Sequence, residues 1–296
     1  MRKILSIFVS MTFTLAASAQ ALPSLLVGAD PVAAATGGSA LARPADAFAV
    51  DNNAAAMALT SNGFSVAASY GSWAPGTACS TLAGIGFYYK LNDRMALGFS
   101  GRMFRDKPYD ITSATGQVTG SFAPGDLLAG AGFSFALADG LSLGVTGRFT
   151  SSTIASDMKG SAVGADITAM YSKGEISAAA GLCNLGTPVS YGGASYAQPM
   201  LVRAGGVFSA SGFTASLEAD YLFSGTLMAG LGAEYCIADI VSVRAGYHYG
   251  DQAGAVPSYA SLGLGAAFAG FSLDLAFITA SRTVGNSLYF GLGYSF

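Results

Sequence analysis

The residues that could do chemistry in this 296-residue chain are few, and the single histidine, His248, is the first to consider. A nucleophilic enzyme needs a nucleophile and a base that converge in space, yet no G-x-S-x-G element accompanies His248. Glu218 and Asp220 share one face of an extended chain, so they could form the carboxylate pair of an acid–base catalyst. A ladder of opposite charges with Arg203 on a neighbouring strand is the simpler interpretation. We therefore expect no enzymatic activity.

Cofactor and metal chemistry is not indicated either. The G-x-G doublets lack the third glycine and the following helix of a nucleotide-binding loop. These doublets are Gly130/Gly132, Gly230/Gly232, Gly263/Gly265 and Gly291/Gly293. Cys79, Cys183 and Cys236 form no C-x-x-C pair, which favours small wall residues, with a Cys79–Cys183 disulfide as the alternative. We expect neither a cofactor nor a bound metal.

A two-residue period in the sequence positions these side chains. From Leu288 to Phe296 every second residue is large and apolar, which places those side chains on one face of a strand. We predict fourteen such strands. The length of each is close to the ~10 residues that a membrane-crossing strand needs. Their approximate ranges are 64–72, 80–91, 95–105, 126–138, 141–151, 160–173, 175–185, 200–210, 213–223, 226–237, 241–250, 258–268, 271–279 and 287–296.

The composition indicates what surface these strands form. The chain is 52% apolar and only 10% charged, and it contains 40 glycines. Water-soluble domains carry about 25% charged residues and about 7% glycine, so this sequence cannot easily build a hydrated surface. The apolar content excludes disorder, and the net charge of −3 argues against nucleic-acid binding. We predict an all-β protein, with a closed antiparallel transmembrane β-barrel over residues 63–296.

The charged residues of the strands are consistent with a polar lumen. Each lies on the face opposite the large apolar side chains, where a charge avoids the cost of about 2–4 kcal/mol that a lipid-facing Lys or Arg incurs at mid-membrane. The predicted lumen-facing residues are Lys90, Arg102, Arg148, Asp166, Arg203, Glu218, Asp220, Glu234, Arg244, His248 and Asp274.

The connections alternate in length. Those after the even-numbered predicted strands, such as Asp139-Gly140 and Ser211-Gly212, are tight turns, whereas those after the odd-numbered strands are longer, except after the ninth. The longest span 106–125 and 186–199. Bacterial outer-membrane barrels have short periplasmic turns and longer external loops, so we expect an outer-membrane location with both termini in the periplasm.

The N-terminal residues do not alternate. Arg2 and Lys3, the apolar stretch 4–15 and Ala17-Ser18-Ala19 predict a signal peptide over residues 1–19. We expect residues 20–62 to form a plug that packs on the glycine-rich lumen face of the strands. The alternative is that the glycines only ease strand curvature.

The last strand carries a further signal. It ends on an aromatic residue and resembles the C-terminal strand that the barrel assembly machinery reads. Its apolar positions are Phe290, Leu292, Tyr294 and Phe296. We expect that machinery and the outer-membrane lipid to be partners of this chain.

Several motifs resemble the PorV/PorQ family, fourteen-stranded relatives of FadL-type transporters. The N-terminal motif is carried by Gly37, Gly38, Asp46 and Asn53. Later matches are Phe122-Ala123-Pro124-Gly125-Asp126, Asn184-Leu185-Gly186 and Pro199-x-x-x-Arg203-x-Gly205. The resemblance implies a partner or shuttle beside the type IX secretion system, with secreted proteins or surface attachment components as partners. FadL-like passage of small hydrophobic ligands is the alternative that it implies.

Overall fold

The computed structural model describes residues 21–251, 256–279, 281 and 284–296. The signal peptide predicted over residues 1–19 lies outside the described residues. Among those residues, no helix is long and apolar enough to span a membrane.

The strands form one closed antiparallel barrel and two small hairpins. Their bounds are β1 Phe64–Trp73, β2 Ser80–Asn92, β3 Met95–Arg105, β4 Tyr109–Thr112, β5 Val118–Phe122, β6 Gly125–Ala138, β7 Leu141–Ala155, β8 Met158–Lys173, β9 Ile176–Gly186, β10 Val189–Tyr191, β11 Ala194–Tyr196, β12 Leu201–Ala210, β13 Phe213–Leu222, β14 Leu227–Ile237, β15 Val241–Gly250, β16 Tyr259–Phe268, β17 Phe271–Thr279 and β18 Ser287–Ser295. Fourteen of them make the barrel, and pairing of β1 with both β2 and β18 closes it. The predicted fold class and strand number are confirmed.

The strand faces differ as the two-residue period predicts. In β7, for example, Ser142 and Thr146 are buried, whereas Leu143 and Val145 are exposed on the outside of the wall. Because a barrel strand alternates between lumen and lipid, the apolar outer residues form the surface that contacts the membrane. The interior side carries the small and charged residues.

One end of the barrel has tight turns and the other has the longer connections. The long connections contain structure that the sequence pattern did not predict, namely the hairpins β4–β5 and β10–β11. β7 corresponds to the fifth predicted strand, 141–151. The connection after it was expected to be long, but it consists only of residues 156–157. The expectation was wrong because pairing continues to Ala155 and Met158, where Ile154 and Met158 keep their apolar side chains exposed.

The segment before β1 contains a 3-10 turn, Pro23–Leu26, and three short helices, α1 Pro31–Ala35, α2 Ala49–Asn52 and α3 Ala56–Leu59. Its start lies at the loop end, where the Ala21 amide donates to the Ala197 carbonyl at 3.0 Å. Phe296 pairs with Phe64 at the turn end. The two ends of the described chain thus lie at opposite ends of the barrel, and a periplasmic position of both termini stays a prediction.

Candidate functional site

The N-terminal segment, residues 21–62, lies directly against the glycines of the wall. A Cβ atom added to Gly246 would lie 2.2 Å from the Gly37 nitrogen, and one added to Gly86 would lie 2.1 Å from the Ala47 carbonyl oxygen. A Cβ atom added to Gly144 would lie 2.2 Å from the Ala55 nitrogen. These contacts need glycine because any side chain there would overlap the backbone of the segment.

The doublet glycines divide into two groups. Those nearest the N-terminal segment are Gly132, Gly230, Gly232, Gly263 and Gly291. The nearest neighbours of Gly130, Gly265 and Gly293 are instead polar side chains of the wall, such as Ser100, Arg244 and Ser272. The glycines therefore accommodate both the segment and the large side chains of adjacent strands.

Arg203 joins two carboxylates across β12 and β13. It forms an ion pair with Glu218, and its Nε lies 3.2 Å from Oδ1 of Asp220. The second oxygen of Glu218 accepts hydrogen bonds from the backbone amides of Ala40 (2.8 Å) and Leu41 (2.7 Å). Glu218 and Asp220 thus contact the same arginine, and Glu218 anchors the N-terminal segment to the wall.

A second ion-pair network spans β14, β15 and β17. Arg244 contacts Glu234 and Asp274, each at 2.6 Å. Glu234 also accepts from Arg43 of the N-terminal segment at 2.8 Å. The segment is therefore tied to this side of the barrel by a second charged contact.

The third network involves Arg148, Asp166 and Asn184. Arg148 pairs with Asp166 at 2.6 Å and donates to the Asn184 side-chain oxygen at 2.9 Å. Asn184 adopts a left-handed conformation, with φ 59°, and its amide group donates to the Pro199 carbonyl at 3.0 Å. This accounts for the sequence pattern of Asn184 followed by Pro199, since the two residues fix the long connection after β9 to the wall.

The remaining predicted charges also contact the N-terminal segment. Arg102 donates to the Val27 carbonyl at 2.9 Å and lies 3.4 Å from Asp51, while Lys90 donates to the Thr60 carbonyl at 2.7 Å. The Nδ1 atom of His248 lies 3.2 Å from the Gly37 carbonyl oxygen. The His248 ring also stacks on Tyr259, with a centroid separation of 4.9 Å, so its contacts are those of a wall residue.

The four residues of the N-terminal motif shape the segment itself. Gly37 and Gly38 have positive φ angles of 66° and 82° at the end of α1, where a left-handed backbone favours glycine. Asp46 accepts from the Phe48 amide at 2.8 Å. Asn53 donates to the Leu41 carbonyl at 2.6 Å and accepts from the Ala55 amide at 3.0 Å, which joins two turns of the segment.

Asp30 is a site residue that the sequence analysis missed. It caps α1 by accepting from the Val32 amide at 2.8 Å, and it accepts from Asn52 at 2.8 Å. Burial raises the pKa of the Asp30 carboxyl above its ordinary value, against the opposing effect of these two hydrogen bonds. Asp30, Arg43 and Asp51 stand among small apolar residues in a segment without periodicity, so no sequence pattern indicated their partners. Arg43 and Asp51 pair with Glu234 and Arg102 of the wall.

Several cavities lie beside the segment, and two of them have lining residues in common. The inner one, about 120 Å³, is lined by Arg102, Arg148 and Arg203 together with acidic and apolar residues. The other, which we call the mouth cavity, lies at the loop end and has a volume of about 490 Å³. Val27 and Trp73 line both.

The C-terminal residues lie on the outside of the wall. Phe290, Leu292 and Phe296 are exposed, and the Phe296 ring stacks on Phe64 at 5.2 Å across the closing seam. Tyr294 packs against Phe271 at 4.8 Å. These contacts close the barrel at its turn end; recognition of the same residues by the assembly machinery stays a prediction.

All three cysteines are free, so the alternative of a Cys79–Cys183 disulfide is wrong.

Comparison with known proteins adds a family and a set of structural relatives. A family model described as "Type IX secretion system protein PorV" matches residues 14–209. The Pseudomonas putida toluene transporter TodX is 12% identical, covers 90% of this chain and 98% of its own, and has a TM-score of 0.70. The Ralstonia pickettii toluene transporter TbuX is 13% identical with the same coverage and a TM-score of 0.68.

A third structure, the monoaromatic hydrocarbon channel CymD, is 14% identical over 91% of this chain and 97% of its own, with a TM-score of 0.68. At these identities the structural matches show a common fold. No curated relative matches the sequence. Because the family model covers more than half of the sequence, the chain belongs to the PorV family, as an outer-membrane protein on the FadL-like 14-stranded barrel fold.

Proposed function

We propose that this barrel is a non-enzymatic partner or shuttle for protein secretion and surface attachment of the type IX kind. Membership of the PorV family supports a role beside that system. The observation that carries the proposal is the attachment of residues 21–62 to the lumen wall by ion pairs and backbone hydrogen bonds on several sides. A segment held in this way acts as a plug, so the barrel would work through its loop-end surface.

The loop-end surface offers exposed apolar groups to a protein partner. The hairpin β4–β5 projects from the long connection 106–125, and its Tyr109, Ile111 and Val118 side chains are exposed. Exposed apolar residues grouped on a projecting element are typical of protein interaction sites. The second long connection, 186–199, contributes the hairpin β10–β11 beside the mouth cavity. We propose that secreted proteins or surface attachment components bind here.

A FadL-like channel for small hydrophobic ligands is the second candidate function. The mouth cavity favours it, because that cavity lies at the loop end and is lined by apolar and aromatic side chains such as Trp73 and Phe104. The structural relatives TodX and TbuX are described as toluene transporters. Under this alternative the N-terminal segment would have to leave its contacts with the wall for a ligand to pass.

Purification of the tagged protein from native outer membranes tests the main proposal. The tag belongs in the exposed turn at 174–175, away from the hairpins and from the substituted positions. We expect secretion or attachment components to co-purify, and the double substitution Ile111→Ser/Val118→Ser to reduce their yield. Ile240→Ser, which removes an apolar side chain of similar exposure at the turn end, is the matched control. Absence of any such component, from a strain that has a type IX system, would contradict the proposal.

A further inference from the structure

The mouth cavity has a charge that a simple hydrocarbon site does not need. Its volume of about 490 Å³ is within the ~300–1,000 Å³ range of small-ligand pockets. Aromatic side chains line it, namely Trp73, Phe104, Tyr191 and Tyr196. Asp106 and Asp126 line it as well, and among the described lining residues there is no Lys, Arg or His. The cavity therefore combines aromatic surface with two acidic groups.

The register of the barrel brings these acidic groups together with their neighbours. Asp126 at the start of β6 is paired with Phe104 of β3 on one side and with Ser152 of β7 on the other. Asp106 directly follows β3, and Ser80 begins the adjacent strand β2. The loop ends of four consecutive barrel strands thus supply one continuous wall of the cavity. The N-terminal segment supplies another side through Leu22, Pro23 and Ser24.

Each carboxylate has one oxygen engaged by a serine. Ser80 Oγ donates to Asp106 Oδ1 at 2.5 Å, and Ser24 Oγ donates to Asp126 Oδ2. In the described part of the chain, Asp106 Oδ2 and Asp126 Oδ1 accept no hydrogen bond. The serine bonds fix the orientation of the two groups and leave one acceptor oxygen on each for a ligand. An anion placed here would meet two like charges, whereas a cation would find two charge-assisted hydrogen-bond acceptors.

The backbone around the cavity is held in an unfavourable conformation. Leu22 and Ala74 line the cavity with positive φ angles of 62° and 48°, and Cys79, next to Ser80, has φ 48°. A left-handed backbone costs such residues free energy, and this kind of strain is concentrated at ligand-binding sites, where the surrounding structure enforces it. Here it shapes the connection between β1 and β2 along the rim of the cavity.

We infer that the mouth cavity binds an organic cation, that is, an ammonium or guanidinium group carried on an apolar body. The carboxylates of Asp106 and Asp126 bind the charge, and the aromatic side chains contact the body, with cation–π attraction where the charge lies over a ring. The same chemistry is offered by a free amine and by a lysine or arginine side chain of a secreted protein. The inference concerns the ligand chemistry of the cavity, and it stands whether the barrel acts as a secretion partner or as a channel.

Trp73 makes the inference directly measurable, because it is the only tryptophan of the chain and lines the cavity. Its fluorescence in the detergent-purified full-length protein is titrated with three probes of matched body: 2-phenylethylamine, 3-phenylpropionate and ethylbenzene. We expect the amine to bind at least about tenfold more tightly than the other two, as a hydrogen bond to a charged group would produce. Equal or tighter binding of ethylbenzene or 3-phenylpropionate would overturn the inference.

Variants separate the role of the carboxylates from general loss of structure. The double substitution Asp106→Asn/Asp126→Asn keeps acceptor oxygens for Ser80 and Ser24, and we expect it to abolish the preference for the amine. Asp110→Asn, in the exposed hairpin outside the cavity, is the control and leaves the preference unchanged. Unchanged barrel mobility on unheated gels checks folding. Retention of the amine preference in the double variant would show that the carboxylates do not recognise the charge.

A peptide comparison identifies the source of the cation. N-acetyl-Phe-Lys-amide is titrated beside N-acetyl-Phe-norleucine-amide, which has a neutral side chain of similar length. Binding of the lysine peptide that is lost in the double variant supports a side chain of a secreted protein. Binding of 2-phenylethylamine alone supports a free amine. If neither cation binds, the inference is wrong, whatever the result of the purification from native membranes.

Discussion

Arg203 lies between Glu218 and Asp220, and this buried arrangement determines what a substitution there costs. Glu218 is 2% exposed and depends on Arg203 and on two backbone amides of the N-terminal segment. Removal of one partner from a buried ion pair leaves an uncompensated charge, which typically costs more than the pair contributes. The charged residues of the lumen are therefore best understood as structural groups. Most of them hold the segment, whereas Arg148 and Asp166 hold the connection after β9 through Asn184.

We expect Arg203→Met to lower the free energy of unfolding by about 3–5 kcal/mol, because it leaves Glu218 and Asp220 without their cation. The unfolding midpoint in urea or guanidinium chloride, measured in detergent, gives the change. Lys173→Met is the matched control: its pair with Asp139 is exposed, and we expect no measurable change. A similar small effect of both substitutions would mean that the Arg203 site is hydrated and screened.

At the residue scale, the sequence predicted which charged side chains of the strands face the lumen. It did not predict the residues of the N-terminal segment that these side chains contact. Strand alternation placed Arg148, Asp166 and Arg244 on one face because a charge on the other face would contact lipid. It could not supply the partners Arg43 and Asp51, since these lie in a segment whose turns follow no period. The ladder of Arg203 with Glu218 and Asp220, by contrast, was predicted, and the register of β12 and β13 places Arg203 directly opposite Asp220.

At the scale of elements, the N-terminal segment and the wall are complementary in shape. The wall glycines lie very close to α1 and to the residues that follow it. A single side chain added at one of these glycines would push the segment away from the wall. The glycine-rich strands thus indicate an element packed against them. What the sequence did not indicate is the path of that element, which begins at the loop end beside Ala197 and ends at β1.

We expect Gly246→Val to displace the segment around Gly37, because a Cβ there would lie 2.2 Å from the Gly37 nitrogen. The overpacking cost is about 1–3 kcal/mol. Limited proteolysis with proteinase K and mass spectrometry should then show cleavage within residues 30–60. Gly147→Val is the control, since a Cβ at Gly147 meets nothing within 4 Å. Equal resistance of both variants would show that the contact at Gly246 does not hold the segment.

The strands themselves were predictable because membrane strands obey a strict alternation, whereas loop hairpins do not. The extension of β7 and β8 to Ala155 and Met158 was missed, since Ser152 and Thr153 read as a loop although they continue the pairing. The hairpin β4–β5 was also missed, but for another reason. It is exposed on nearly all sides, so no buried face leaves a period in its sequence.

At the scale of the whole molecule, the fold and the family are shared with proteins whose descriptions name different roles. The barrel shares its architecture with hydrocarbon transporters, while the sequence matches a secretion family. Fold alone does not decide function, so the state of the lumen is the distinguishing property. The contacts of residues 21–62 with Arg102, Glu218, Glu234 and the wall glycines support a lumen closed by that segment.

Solute flux through the purified full-length barrel in planar lipid bilayers tests this account most directly. We predict that the protein inserts without a steady large conductance, because the N-terminal segment occupies the lumen. The Gly246→Val variant, in which the segment is displaced, should conduct, and the Gly147→Val variant should not. A steady, large conductance of the unaltered protein would contradict the account, since a permanently open lumen is incompatible with a segment bound to its wall.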